Sequence, residues 1–79
     1  MVRIIANPGI LGGKPVIEGT RISVEHVLGL LANGMTNEEI IADYPILTEE
    51  SIRAVLGYAA RALKPISLPK DMMRTYVLS

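Results

Sequence analysis

Cysteine is absent from these 79 residues, which removes disulfide frameworks, thiolate nucleophiles and cysteine metal sites together. Phenylalanine and tryptophan are absent too, and three tyrosines supply all the aromatic content. A core must therefore be built mostly from Ile, Leu, Val and Met. Neither charge is in excess, since 8 basic residues balance 8 acidic ones. Nonspecific attraction of one protomer to nucleic acid is accordingly weak. No apolar run approaches the ~20 residues of a membrane span. The N-terminus lacks a signal-peptide pattern, so a cytoplasmic protein is the expectation. The only histidine is His26, which reads as a surface residue in the first turn of a helix and not as a general base.

What is present suits one small domain. Apolar residues make up 49% of the chain, enough for a core but near the lower size limit for one that stands alone. Domains this small gain margin from a partner surface or from dimerisation. The charges are segregated along the chain. Residues 1–24 carry Arg3, Lys14 and Arg21 against Glu18. Residues 25–50 carry only acids, namely Glu25, Glu38, Glu39, Asp43, Glu49 and Glu50. From residue 51 on, Arg53, Arg61, Lys64, Lys70 and Arg74 face a single Asp71. Such asymmetry marks a basic face or helix ends that complement their own dipoles.

The stretch from Met35 to Lys64 organises the rest. Thr36 and Glu39 have capping-box spacing, with Met35 and Ile40 placed as a hydrophobic staple. This helix stops at Tyr44, because Pro45 disfavours helical geometry in the residue before it. Thr48 then caps a second helix whose first turn holds Glu49 and Glu50, with Leu47 and Ile52 as its staple. That helix is expected to run to about Lys64, where Pro65 ends it, and to bury a stripe of Ile52, Val55, Leu56, Ala59 and Leu63. Two capped helices around a short corner are the sequence form of a helix-turn-helix.

Upstream, Val2 to Ile5 reads as a short strand ended by Asn7-Pro8-Gly9. Gly13-Lys14 is not a phosphate-binding loop, because that motif requires Gly at position 8 and Ser or Thr at 15, and both are proline. Pro15 to Ile17 and Thr20 to Ile22 around Glu18-Gly19 predict a β-hairpin with positive φ at Gly19. So short an edge strand needs covering, and pairing with a second copy is one solution. Ser23 caps a helix to about Asn33, with Val24, Val27, Leu28 and Leu31 on its apolar face and Gly34 at its C-terminal cap. This third helix supplies what two helices lack to enclose a core.

Candidate DNA-contacting residues are Arg53, Gly57, Arg61 and Lys64, on one side of the last helix. Glycine inside a helix costs ~1 kcal/mol relative to alanine, which suggests close approach of a phosphate backbone or another helix at Gly57. Against this stand Glu49 and Glu50, since a recognition helix presents its first residues to base edges. The bland alternative is that Arg53 and Arg61 form a solvated face paired with nearby acids. Glu39 and Asp43 share a face but read as solvated surface, with no accompanying pocket signal. The expectation is a non-enzyme with no metal and no cofactor.

The tail after Lys64 differs in character. Pro65 and Pro69 keep Ile66 to Leu68 extended, with Ile66 and Leu68 as apolar contacts. Met72, Met73, Tyr76, Val77 and Leu78 then form an apolar ending, which suits packing on the chain's own core, on a second copy or on a partner protein. Lys70 and Arg74 stand among these residues and would complement acidic groups on such a partner.

GGKPVIEGTRISVEHVL at 12–28 and GMTNEEIIADYPILTEESIRAVLGYAAR at 34–61 resemble the domain-of-unknown-function family numbered 433. The resemblance covers residues 3–63. It implies a homeodomain-like helix-turn-helix with an N-terminal β-element, dimeric, acting as the antitoxin half of a type II toxin–antitoxin pair. It further implies a PIN-like ribonuclease toxin as partner. The expected fold is thus mainly α, a three-helix homeodomain-like or winged-type bundle with a short N-terminal β-hairpin, over residues 1–64. Residues 65–79 are the expected partner-binding tail. Operator DNA is the second expected partner, and a pure protein-interaction module without DNA binding is the alternative.

Overall fold

Each α-helix of the fold starts at a hydroxyl residue whose side chain takes a backbone N–H that the helix itself leaves unbonded. In a computed structural model, residues 1–63 are described. They form strands β1 (Ile4–Ala6) and β2 (Pro15–Ile17), then helices α1 (Val24–Ala32), α2 (Asn37–Asp43) and α3 (Glu49–Ala62). Ser23 Oγ accepts from His26 N at 2.9 Å to start α1. Thr36 and Glu39 bond reciprocally at the start of α2, at 2.8 and 3.1 Å. Thr48 and Ser51 do the same for α3, at 3.0 and 3.1 Å. The capping box expected at Thr36 is present, and at Thr48 a serine gives the answering bond.

The turn between α1 and α2 is tight because one residue serves both. Gly34, at φ +91°, donates to Leu31 O, and Met35 donates to Leu30 O at 3.2 Å. These are the two bonds of a Schellman motif. Met35 then precedes the Thr36 cap and packs with Leu30 on the core. After α2, Tyr44 O accepts from Leu47 N at 2.8 Å, closing a turn that holds Pro45 at its favoured position. Helices α2 and α3 with this corner form the helix-turn-helix, and α3 also packs against α1 and β1.

The hairpin is present but is built from different arms. β1 and β2 pair antiparallel, with Ile4 opposite Ile17 and Ile5 opposite Val16. Thr20–Ile22 is not a strand, contrary to the sequence pattern. The Thr20 hydroxyl donates to Ile17 O and accepts from Ile22 N, and these local bonds curl the segment into a turn with Gly19 at φ +84°. Only an isolated Val16–Ser23 bridge remains on that side. The far edge of β2 is thus covered from within the chain.

The core is aliphatic, as the missing aromatics require. Val16, Ile17, Val24, Val27, Ile40, Leu47, Ile52 and Val55 are buried. Of the expected α3 stripe, Ala59 is half-buried and two residues are exposed. Leu56 is 47% exposed and Leu63 75% exposed. The buried arc centres on Val55 and takes in Ser51 instead, because β1 and α1 meet α3 from that side. α3 also ends at Ala62, with Leu63 extended, earlier than expected. Among the described residues no helix is long and apolar enough to cross a membrane.

Candidate functional site

The exposed side of α3 carries Arg53, Gly57 and Arg61 four residues apart, so they share one stripe. Both arginines are exposed. The Arg61 side chain runs back along the helix over Gly57, as long helical side chains do. A Cβ placed at Gly57 would lie 3.3 Å from Arg61 Nη1. The bare turn therefore makes room for the guanidinium. Between this stripe and Val2 runs an open furrow of about 660 Å³, floored by Ala54 and Gly57.

Its charge is less balanced than the composition implies. The ion pairs among the described residues are Lys14–Glu25 at 3.1 Å and the Met1 amino group with Glu50 at 3.8 Å. Arg53 and Arg61 thus have no carboxylate within ion-pair distance among the described residues, which disfavours the bland expectation of a paired surface. The two acids at the start of α3 are engaged elsewhere. Glu49 Oε2 accepts from Asn37 Nδ2 at 3.0 Å, joining α2 to α3. Glu50 Oε1 accepts from Val2 N at 3.0 Å, holding the N-terminal segment across the first turn of α3. Reading the sequence missed both bonds, which span 12 and 48 residues and leave no local trace.

The remaining candidates are quickly placed. His26 is exposed, as expected, and its Nε2 lies 2.9 Å from Tyr44 Oη, with the rings edge to face at 5.6 Å. This contact ties α1 to the end of α2. Glu39 is used in the α2 cap, and no group of His, Asp and Glu suited to a metal is found among the described residues. Lys64 and the proposed partner-binding residues Ile66, Leu68, Lys70, Met72, Met73, Arg74, Tyr76, Val77 and Leu78 lie outside the described residues.

Residues 4–59 match the family described as "Protein of unknown function (DUF433)". The chain is 39% identical over 56 residues to the uncharacterised protein y4eO of Sinorhizobium fredii. That match takes in 71% of this chain but 25% of the relative, so the chain spans about a quarter of that protein's length. Among solved structures it is similar to a DUF433 member protein from Anabaena variabilis, with a TM-score of 0.71 and 34% identity. The similarity covers 73% of this chain and 57% of that one.

Proposed function

This chain belongs to the DUF433 family, and we propose that it is the antitoxin of a type II toxin–antitoxin pair, working in the cytoplasm. On this reading residues 1–64 bind operator DNA as a dimer through α3, and residues 65–79 neutralise a PIN-like ribonuclease by lying across its active-site groove. The observation that carries the DNA part is the pair of exposed arginines, Arg53 and Arg61, astride Gly57 on the outer side of a helix-turn-helix. Cations on that helix, without acids against them among the described residues, suit a polyanion. The toxin part rests on the family resemblance and on the apolar composition of the tail, which polar solvated tails do not share.

A second reading is a protein-interaction module that never touches DNA. Leu56 on α3 and Leu63 just past its end, both exposed, favour it, since apolar side chains beside the basic stripe suit a protein surface. Co-purification with the product of the adjacent gene tests the proposal, using the full chain and a form ending at Lys64. The expected result is that only the full chain captures a ribonuclease and silences it. Capture of no neighbour by either form would remove the antitoxin reading.

A further inference from the structure

We propose that α3 grips duplex DNA by its phosphates and does not read base edges, an inference that rests on the DNA-binding reading above. A recognition helix in a helix-turn-helix enters the major groove with its N-terminal residues foremost. Here that turn is already taken. Glu49 is bonded to Asn37 on α2, and Glu50 holds Val2 N at 3.0 Å. Entry of this turn into a groove would set two carboxylates against the phosphates.

The middle of α3 has few groups to read with. Between Arg53 and Arg61 its exposed positions are Leu56 and Ala60, and neither carries a side-chain donor or acceptor for a base edge. Tyr58, the residue there with a hydroxyl, is half-buried and packed against the core. What remains is the two guanidiniums. Arg61 is folded back over Gly57, which lays it along the wall of the furrow instead of extending it from the helix. Eight residues of α-helix separate the two arginine α-carbons by ~12 Å along the axis. The fold-back of Arg61 brings its guanidinium to the level of Gly57, ~6 Å from that of the Arg53 α-carbon. The guanidinium fork matches phosphate oxygens two at a time. The furrow between Val2 and α3, lined by Ala54, Gly57 and both arginines together with the Met1 amino group and the Glu50 carboxylate it pairs with, gives a phosphodiester strand close access to both arginines. Sequence discrimination then comes from duplex shape and half-site spacing.

The test uses the full-length chain, the duplex upstream of its own gene, and a scrambled duplex of equal length and composition. Binding is followed by fluorescence anisotropy from ~50 to ~200 mM salt for the wild type, R53Q, R61Q and the double variant, with circular dichroism melts to verify folding. The expected result is that the double variant weakens both duplexes by the same factor. It should lower the slope of log K against log[salt] by about 2 per bound protomer. Phosphate ethylation should interfere with binding and guanine N7 methylation should not. A change of about tenfold or more in the preference between duplexes on losing either arginine would mean base reading and overturn the inference. So would affinities indifferent to both substitutions, and in either case DNA binding itself would stand. If the wild type binds neither duplex at ~50 mM salt, the DNA-binding reading falls and this inference with it.

Discussion

Gly57 lies inside α3, where glycine costs about 1 kcal/mol relative to alanine, and the side chain it accommodates is Arg61. Gly57→Ala should therefore raise stability by up to ~1 kcal/mol in denaturant unfolding, because the displaced guanidinium tip is flexible and exposed. The same substitution should weaken DNA binding by disturbing Arg61. A variant that is more stable and binds equally well would mean that the bare turn serves something else. Glu50 offers the opposite trade. Glu50→Gln keeps an acceptor for Val2 N but removes a negative charge from the furrow that Arg53 and Arg61 line. Stability should fall by no more than about 0.5 kcal/mol, since the ion pair with the N-terminus is long and exposed. Affinity for duplex DNA should rise, most visibly at low salt.

The helices were the legible part of this sequence because their signals are local. Thr36 with Glu39, Ser23 before Val24, and Gly34 after Asn33 each act within a turn of the bonds they make. Thr48→Ala tests a cap of the same kind. It removes the hydroxyl that accepts from Ser51 N at 3.1 Å, while the backbone N–H of residue 48 still bonds the Ser51 hydroxyl. A loss of about 1–2 kcal/mol in urea unfolding is expected. A loss below about 0.5 kcal/mol would mean that the α3 start is held by packing alone. Features set by distant contacts were not legible. Spacing alone placed Leu56 in the core, whereas the side from which β1 and α1 approach α3 leaves it outside. Likewise the pairing of β2 with β1 depends on eight intervening residues folding into turns. The arginine stripe was readable from spacing, but the engagement of Glu49 and Glu50 was not, and that engagement changes how α3 would meet DNA.

Eight small and medium aliphatic side chains enclose the centre of this fold, and no aromatic ring is among them. Each contributes about 1.5–3 kcal/mol on burial, while a domain of this size has only ~3–5 kcal/mol of net stability. Ile40 is fully buried between the helices, so Ile40→Ala, at ~2–5 kcal/mol, should leave the chain largely unfolded at room temperature. Ile40→Val, at ~0.5–1.5 kcal/mol, should melt earlier but fold. Thermal circular dichroism separates the two. Margins this narrow also fit a protein that works bound to partners, since binding adds stability by mass action. The most direct test of the antitoxin reading is growth of cells that express the adjacent gene's product alone or together with this chain. The expected result is arrest with the neighbour alone and full rescue on co-expression. A neighbour that leaves growth unaffected, or an arrest that this chain fails to relieve, would contradict it.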